Sequence, residues 1–231
     1  MDQTTTVPHH IAIIPDGNRR WATGKGLPTF EGHRKGFAAL EKIATYLRKQ
    51  GVQTLTVWAF STENWSRDEK EITYLMEIYE KWLRSNLKTA LKEHIRIVHL
   101  GRKDRIPSSL LKTLDEVEEK TQSFNQYYLA IALDYGGRDE MVRAVQNMQS
   151  SQSAIQRESD IDRFLDTKDL PYPNPDLIIR TSGEQRTSGF LSWQSAYSEY
   201  IFLPKHLPDV STTDMQDCLD EYQRRQRRFG R

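Results

Sequence analysis

The sequence predicts a single α/β domain in which helices flank a mainly parallel central sheet. Short apolar runs alternate with longer amphipathic segments along the 231 residues, and this alternation is typical of parallel strands joined by crossover helices. Several of the short runs are apolar at consecutive positions, as expected for strands that are covered on both faces. We therefore treat residues 1–231 as one domain, a size that a single α/β fold accommodates, and expect residues 1–8 to be flexible.

The pattern of apolar residues predicts six strands and six helices. The strands are expected at residues 11–14, 54–60, 95–100, 127–133, 176–180 and 199–203. The helices are expected near 32–50, 68–93, 107–122, 137–150, 158–166 and 211–228. Ligands of parallel sheets bind beyond the carboxyl ends of the strands, so the polar segments that follow the strands are the candidates for a functional site.

The helix expected near 68–93 carries apolar side chains at helical spacing. They are Ile72, Leu75, Met76, Tyr79, Trp82, Leu83, Leu87, Ala90 and Leu91. A stripe of this kind usually packs against a core, and it could also form one wall of an apolar tunnel for a lipid chain. Periodicity does not separate these two interpretations.

Composition excludes several function classes. The 33 basic and 32 acidic residues give a net charge of +1, so an anionic ligand would have to be held by a local cluster rather than by the chain as a whole. Cys218 is the sole cysteine, which excludes an internal disulfide and fits a reducing, cytoplasmic compartment. We expect no signal peptide or membrane span, because no apolar run approaches the ~20 residues that a span needs.

The first candidate site follows the first strand, at Asp16-Gly17-Asn18. A carboxylate at this position could bind a hard cation, and the glycine would let a ligand approach the backbone amides closely. Arg19 and Arg20 follow directly and suit a phosphate group. Taken alone, the segment is also compatible with an ordinary Asp-Gly turn beside surface arginines.

Further polar clusters lie at later strands. Residues 61–67 follow the second strand, and helix capping accounts for only some of their polar side chains. After the fifth strand, Arg180 and Arg186 stand among hydroxyl and glycine residues, a pattern that suits either a second anion site or a polar surface loop. Glu199 opens the last strand and is either solvated or an oxygen ligand for Mg²⁺, which needs one or two carboxylates.

Other site types are missing from the sequence. It contains no P-loop, no Gly-x-Gly-x-x-Gly after a strand, no zinc-binding His-Glu-x-x-His and no nucleophile elbow of an α/β-hydrolase. The basic segment 222–229 is compatible with RNA binding, but a solvated helix end is favoured because the net charge is near neutral and no RNA-binding module is visible. We therefore expect no nucleic-acid partner.

Motifs in a fixed order extend from about His10 to Gly230. They are Asp16-Gly17-Asn18-x-Arg20-Trp21-Ala22, Gly32-His33, Ala59-Phe60-Ser61-Thr62-Glu63-Asn64-Trp65-x-Arg67, Asp134-Tyr135-Gly136-Gly137-Arg138, Ile179-Arg180-Thr181-Ser182-Gly183-Glu184-Gln185-Arg186, Phe190-Leu191-x-Trp193-Gln194, Tyr197-x-Glu199 and Arg227-Arg228-Phe229-Gly230. Together they resemble the cis-prenyltransferase family, of which undecaprenyl diphosphate synthase is the common bacterial member. Several long motifs in one order make a chance similarity implausible.

The resemblance implies an apolar tunnel between sheet and helices, a homodimer, and Mg²⁺ as cofactor. It implies that isopentenyl diphosphate condenses with an allylic diphosphate, usually farnesyl diphosphate, and that each added double bond is cis. The expected product is undecaprenyl diphosphate, the lipid-carrier precursor for peptidoglycan, made in the cytoplasm with at most peripheral membrane contact for product release. Two alternatives stay open: a short-chain (C10–C15) synthase and, from another class, a catalytically silent subunit of a hetero-oligomeric prenyltransferase.

The resemblance also assigns substrate-binding residues. The allylic diphosphate would be bound by Gly17, Asn18, Arg19, Arg20, His33 and Arg67. Isopentenyl diphosphate would be bound by Arg180, Arg186 and Ser188. The same motifs add Trp21, Ser61, Thr62, Glu63, Trp65 and Thr187 to the substrate-binding residues.

Metal and catalytic roles follow from the same resemblance. Asp16 and Glu199 would hold Mg²⁺, with Glu199 supplied near the dimer interface. Asn64, with Ser61, would provide the route for the proton that is lost after coupling. Fixed cations would stabilise the negative charge that develops on the leaving diphosphate. Thr29 stands where an arginine commonly helps to bind the allylic diphosphate, so the preferred first substrate stays open.

Overall fold

A six-stranded parallel sheet forms the centre of the protein, whose computed structural model describes residues 7–225. The strands are β1 His10–Ile14, β2 Thr54–Ser61, β3 Ile95–Leu100, β4 Tyr127–Tyr135, β5 Leu177–Arg180 and β6 Glu199–Phe202. Their order across the sheet is β3-β4-β2-β1-β5-β6, and every neighbouring pair is parallel. The predicted α/β fold class and all six predicted strands are confirmed.

Helices flank the sheet. They are α1 Asn18–Gly24, α2 Thr29–Lys49, α3 Glu69–Lys92, α4 Ser108–Thr121, α5 Gly137–Ser150, α6 Glu158–Asp162 and α7 Thr212–Arg224. Short 3-10 helices lie at Thr62–Ser66, Asp166–Asp169 and Leu207–Asp209. None of the helices within residues 7–225 combines the length and the apolar character that a bilayer crossing requires.

Two of the predicted helices end earlier than expected. The helix predicted over 158–166 is wrong in its second half, because the chain leaves α6 at Asp162 to bury Leu165. Directly after it, the Asp166 carboxylate accepts two hydrogen bonds from Arg143 (2.7 and 2.6 Å). The helix predicted over 211–228 ends at Arg224 in α7, and residues 226–228 lie outside the described residues.

Helix α1 was not predicted from the sequence. It is short, and its first turn has no side-chain cap, so local signals for a helix are weak. Burial of Trp21 and Ala22 stabilises it instead. Close packing on α2 requires Gly32, where an added Cβ would lie 2.0 Å from the Asn18 carbonyl oxygen.

Strand β1 organises the sheet. All five of its residues are buried; Ile11 and Ile13 pack in a core with α2 and α7, whereas Ala12 and Ile14 face the opposite layer. Because β1 lies between β2 and β5, the loops that follow these strands meet at its carboxyl end. Ligands of open parallel sheets bind at such a switch in strand order.

The amino-terminal end of the described chain is packed. Val7 contacts the core formed with α2 and α7, and Pro8 is buried. The expectation that residues 1–8 are flexible stays a prediction. The backbone amides of His9 and His10 donate hydrogen bonds to Asp176 Oδ2 (2.8 and 3.1 Å), which ties the segment to the sheet. Residues 1–6 lie outside the described residues.

Candidate active site

The turn after β1 brings the start of α1 to the candidate site. Gly17 adopts a left-handed backbone with a φ of 94°, which glycine tolerates without the steric cost of a side chain. A Cβ atom at this position would lie 2.5 Å from both Ser182 Oγ and His206 Nδ1. The backbone angle and the close approach therefore both require glycine.

The carboxylate of Asp16 is tied to two arginines. Its Oδ2 accepts a hydrogen bond from Arg180 Nη2 (2.9 Å), and its Oδ1 accepts one from Arg20 Nη2 (3.2 Å) and one from the Gly17 amide (2.6 Å). Burial alone would raise the pKa of Asp16, but the hydrogen bonds and positive charge of Arg180 and Arg20 outweigh burial and lower it. The side chain is therefore ionised at neutral pH.

Arg180 ends β5 and is almost fully buried, with 5% of its surface exposed. Through Nη1 it donates hydrogen bonds to the Arg186 carbonyl oxygen (2.6 Å) and to Ser188 Oγ (3.0 Å). Its Nε is buried and has no hydrogen-bond partner within the described chain. An unmatched buried donor is unfavourable, and an anionic ligand beside this guanidinium would supply further acceptors.

A chain of alternating charges continues from Asp16 along the rim. Arg20 Nη1 donates to Glu184 Oε1 (2.8 Å), and Arg186 donates to the other oxygen of Glu184. Hydrogen bonds from Arg186 and Arg20 lower the pKa of Glu184. The rim arginines are therefore held by carboxylates before any ligand binds.

A second charged cluster surrounds Glu71 near the start of α3. Its carboxylate accepts a hydrogen bond from Arg67 Nη1 (3.1 Å) and lies 3.5 Å from His33 Nε2 and 3.8 Å from Arg19 Nη1. Burial lowers the pKa of His33 despite the opposing effect of Glu71, so this histidine is neutral at neutral pH. The side chains of Arg67, His33 and Arg19, which can donate hydrogen bonds to phosphate, therefore all lie close to the Glu71 carboxylate.

The loop after β2 carries Ser61 and Asn64. The Ser61 amide donates to Asn64 Oδ1 (3.1 Å), and the two residues form the capping pair of the helix Thr62–Ser66. Trp65 anchors this short helix, because its Nε1 donates to the fully buried Asp134 (2.8 Å). Asn64 is therefore held in a fixed orientation.

These groups surround one end of a cavity of about 760 Å³, within the range of ~300–1,000 Å³ that is common for ligand sites. Four arginines line that end: Arg19, Arg20, Arg67 and Arg180. The walls beyond are mainly apolar. They are formed by Phe37, Leu40, Ala44, Val57, Ala59, Leu75, Tyr79, Trp82, Leu83, Leu114, Leu129, Ile131 and Leu133. The cavity also explains why interior-strand residues such as Val57 are only half-buried.

Eleven of the predicted site residues line this cavity. They are Asp16, Gly17, Asn18, Arg19, Arg20, His33, Ser61, Asn64, Arg67, Arg180 and Ser188. Thr29, at the start of α2, also lines it. The structure therefore brings the three sequence clusters together at one edge of the sheet, as predicted from the ends of the strands.

Six of the predicted substrate-binding residues do not line the cavity. They are Trp21, Thr62, Glu63, Trp65, Arg186 and Thr187. Trp21 is buried, and its Nε1 donates to Asp209 Oδ1 (2.7 Å). Within the described chain, Trp21 and Trp65 pack behind the site rather than facing it, whereas Arg186 extends an exposed guanidinium at the rim.

The predicted metal pair of Asp16 and Glu199 is not formed within one chain. Glu199 opens β6 beside Leu177, which in turn lies beside Ile11. Asp16 is five residues beyond Ile11 (16 − 11), roughly 16 Å further along the strands. Glu199 accepts a hydrogen bond from Arg225 Nη1 instead (2.9 Å). Residues 7–225 contain no group of three His, Cys, Asp or Glu side chains arranged to hold a metal.

Asp16 nevertheless fits a shared Mg²⁺. It is ionised, it lines the cavity, and its Oδ2 accepts one hydrogen bond, from Arg180, which leaves that oxygen a further lone pair. Mg²⁺ is usually held by one or two carboxylates together with water and substrate phosphate oxygens. One carboxylate beside the arginines of the cavity would be sufficient for such an ion.

Sequence reasoning missed two residues of the site. Glu71 follows Arg67 by four positions at a helix start, and this i,i+4 spacing is a signal that could have identified the pair. Asp134 adopts a positive φ of 55° and is fully buried between Trp65 and Arg105. Its partners lie far away in the sequence, so no local pattern indicates that it supports the loop of Asn64.

Sequence comparison places the chain among known proteins. Residues 14–230 match the model of the family described as "Putative undecaprenyl diphosphate synthase". The chain is 40% identical to an isoprenyl transferase of Aquifex aeolicus (strain VF5), with 97% of this chain and 96% of that protein covered. It is 41% identical to dehydrodolichyl diphosphate synthase 3 of Arabidopsis thaliana, with 99% of this chain and 78% of that protein covered.

Solved structures show the same fold. A lavandulyl diphosphate synthase from Lavandula x intermedia, in complex with dimethylallyl diphosphate, superposes with a TM-score of 0.92 at 35% identity and covers 97% of this chain and 99% of its own. A probable undecaprenyl diphosphate synthase from Campylobacter jejuni superposes with a TM-score of 0.82 at 27% identity, covering 98% and 100%.

Proposed function

This chain belongs to the cis-prenyltransferase family and is a prenyl transferase of isoprenoid biosynthesis, and we propose that it condenses isopentenyl diphosphate with an allylic diphosphate, most readily farnesyl diphosphate. The main support for this proposal is the cavity, which has arginines at one end and apolar walls beyond. A prenyl diphosphate has the same two parts, an anionic head and an apolar chain. The product is a Z-polyprenyl diphosphate.

In the proposed reaction, the bond between C1 of the allylic substrate and its diphosphate oxygen breaks, and the diphosphate leaves with the electron pair. A new bond joins C1 to C4 of isopentenyl diphosphate, and a proton leaves C2. Arg19, Arg20 and Arg67 bind the departing diphosphate, and their fixed charges stabilise the negative charge that develops in the transition state. Arg180 and Ser188, with Arg186 at the rim, hold isopentenyl diphosphate beside it.

Asp16 has two roles in this proposal. It holds Mg²⁺, which when bound supplies positive charge to the diphosphate oxygens. It also fixes the guanidinium of Arg180 through the bond at 2.9 Å. The ionised state of Asp16, which Arg180 and Arg20 maintain by lowering its pKa, is the state that both roles require.

Asn64 positions the route of the departing proton. A carboxamide is too weak a base to accept the proton itself, so we assign the acceptor role to a diphosphate oxygen. Asn64 and Ser61 line the cavity together, and the hydrogen bond between them (3.1 Å) keeps both beside the diphosphate groups. Retention of Asp16, Asn64 and Arg180 around one cavity argues against a catalytically silent subunit.

We favour undecaprenyl diphosphate, a precursor of the peptidoglycan lipid carrier, as the product. A cavity that continues from the arginines along β2 and β4 supports a chain of several isoprene units, and relatives include dehydrodolichyl diphosphate synthases and isoprenyl transferases. A short-chain product is the alternative. The similarity to a lavandulyl diphosphate synthase solved with dimethylallyl diphosphate favours it.

The test is an incubation with labelled isopentenyl diphosphate, Mg²⁺ and, in separate reactions, dimethylallyl, geranyl or farnesyl diphosphate. Chromatography of the products measures chain length for each primer. We expect condensation, with farnesyl diphosphate extended most efficiently and undecaprenyl diphosphate as the main product. A C10–C15 product would establish the short-chain alternative, and the absence of condensation with every primer would refute the proposed function.

We further propose a homodimer in which the partner's Glu199 completes the Mg²⁺ site, since Asp16 and Glu199 lie at opposite ends of the sheet in one chain. Mixing Asp16→Ala with Glu199→Ala chains tests this directly. After random subunit exchange, half of the dimers contain one intact site of two, so activity should recover to about a quarter of the wild-type value. Mixtures that stay as inactive as the separate variants would contradict the shared site.

A cytoplasmic location, with at most peripheral membrane contact when product leaves, completes the proposal. The support is Cys218, a free and buried cysteine, which suits a reducing compartment. Cell fractionation with antibody detection measures it. We expect the chain in the cytosolic fraction with a minor share on membranes, and recovery mainly in integral-membrane extracts would contradict this location.

A further inference from the structure

A second cavity of about 110 Å³ adjoins the first. The two cavities share four lining residues, Glu41, Ala44, Trp82 and Leu129, so they meet at one wall. The second cavity continues away from the arginines to the amino ends of the strands, where Gln53 precedes β2. It therefore lies at the end of the first cavity that is farthest from Asp16.

Strand periodicity joins the two cavities into one path. Alternate residues of a strand face the same side of a sheet, and in the regular part of β2 Val57 lines the first cavity while Leu55 and the preceding Gln53 line the second. A bulge between Trp58 and Ser61 interrupts the alternation, and Trp58, Ala59 and Ser61 all line the first cavity. The whole path covers eight residues (61 − 53), roughly 26 Å. The last four residues, roughly 13 Å, belong to the second cavity.

The shared wall contains a polar contact beside the apolar side chains of Ala44 and Leu129. Trp82 Nε1, on α3, donates to Glu41 Oε1 on α2 (2.7 Å), and Asn86 Nδ2 donates to the same oxygen (3.2 Å). The indole of Trp82 lines both cavities, so the ring stands between them. One carboxylate on α2 thus holds the ring of Trp82 in position.

This contact can open more easily than the rest of the wall. Glu41 is exposed and Trp82 is half-buried, and a hydrogen bond near water exchanges for hydrogen bonds to water at little net cost. Displacing a fully buried wall residue such as Leu83 would instead disturb a close-packed core. If the indole swings aside, the second cavity becomes continuous with the first.

We propose that Trp82, latched by Glu41, is a gate that sets how far the growing prenyl chain extends from the diphosphate site. The inference rests on the proposed prenyl transfer and adds the residues that limit the product. With the latch closed, the apolar tail fills the first cavity and stops at the indole. When the latch opens, the tail extends along Leu55 towards Gln53 and further condensations follow.

The test compares product lengths of variants in the same labelled-isopentenyl diphosphate assay. Trp82→Ala removes the gate, and its main product should lengthen by about two isoprene units, because the second cavity adds roughly 13 Å of path. Adding Thr89→Trp, which fills the second cavity from α3, should restore the wild-type length. Glu41→Ala removes only the latch and should lengthen the product by less. Lys81→Ala, at an exposed position that lines neither cavity, is the matched control.

The outcomes separate the gate from the proposed function. Wild-type product length in both Trp82→Ala and Glu41→Ala, with condensation intact, would overturn the gate alone. A longer product that persists when Thr89→Trp is added would also overturn it, because the extra room would then lie in the first cavity. Absence of condensation by the wild type would overturn the proposed function and the gate with it. If circular dichroism shows that Trp82→Ala does not fold, the product length of Glu41→Ala tests the gate instead, since Glu41 is exposed.

Discussion

The two ends of the cavity are built from different chemistry. At the carboxyl edge of the sheet, Asp16, Arg20 and Arg180 form a network of hydrogen bonds between charged groups. At the other end, the walls from α2, α3, β2 and β4 are mainly apolar, and the pair of Trp82 and Glu41 is the polar contact that closes them. In the proposed reaction, the charged end positions the reacting atoms, whereas the volume of the apolar end limits the length of the chain. The comparison implies that rate and product length are separable properties of this enzyme.

The largest expected effect is on turnover, when a charged group is removed from the cavity. Asp16→Ala removes the carboxylate that orients Arg180 and to which we assign Mg²⁺ binding, so turnover should fall at least ~100-fold, the scale of losing a fixed group that stabilises transition-state charge. Steady-state incorporation of labelled isopentenyl diphosphate measures the change. Asp115→Ala, an exposed carboxylate paired with Lys103 away from the cavity, should retain wild-type turnover. Near-normal turnover of Asp16→Ala would refute the role of this residue.

The next largest effect is expected on product length, when the apolar end of the cavity is filled. Ala59 lines the first cavity from β2, and Ala59→Phe should shorten the main product because the ring occupies space that the chain would use. Ala38→Phe adds the same volume on an exposed face of α2 and should leave the product unchanged. Product chromatography at matched extents of reaction checks both. An unchanged length distribution in Ala59→Phe would count against a volume limit in this part of the cavity.

The smallest expected effect is on the free energy of unfolding. Its pH dependence differs between His10, at the start of β1, and Asp16, just beyond its end. Burial lowers the pKa of His10 to about 4, below its unfolded value near 6.5. The unfolded chain therefore binds the proton first, and this group costs up to about 1.4 kcal/mol of stability per pH unit as the pH falls from about 6.5 to about 4. Asp16, whose pKa is lowered, stabilises the fold above its usual value of 3.8 and loses that contribution only at lower pH.

Urea unfolding at several pH values measures this difference. His10→Gln should flatten the loss of stability between pH 6.5 and 4, and it should not abolish the loss because the pKa of His33 is also lowered by burial. His9→Gln, at the exposed neighbouring position, should leave the wild-type slope. An unaltered slope in His10→Gln would show that this buried histidine does not titrate as the structure indicates.

Much of the fold was predictable from the sequence because the strands are apolar on both faces. The strand at 95–100 was predicted to the residue, and the others differ by at most two residues at either end. The order of the strands was not predictable, since a crossover helix does not specify which neighbour its strand will pair with. Helix α1 was missed because packing of Trp21, rather than local capping, stabilises it.

Some residues of the site were also predictable from the sequence, and others were not. The motifs identified Asp16, Asn64 and Arg180, because polar residues at the ends of parallel strands converge on one edge. Glu71 was not predicted as part of the site. Trp82 was named in the apolar stripe that could form one wall of a tunnel, but its contact with Glu41 was not predicted. Trp82 follows the same helical spacing as buried core residues, and its role depends on a contact with α2 that no local pattern reveals.

We infer that the charged end of the cavity sets the rate of condensation and that the apolar end sets the length of the product. One incubation with labelled isopentenyl diphosphate tests it most directly, when total incorporation and chain length are both measured for the wild type, Asp16→Ala and Ala59→Phe. We expect Asp16→Ala to lose at least ~100-fold in rate, while Ala59→Phe yields shorter products and keeps most of the incorporation rate per condensation. Equal rates in Asp16→Ala and the wild type, or identical product lengths in Ala59→Phe and the wild type, would contradict it.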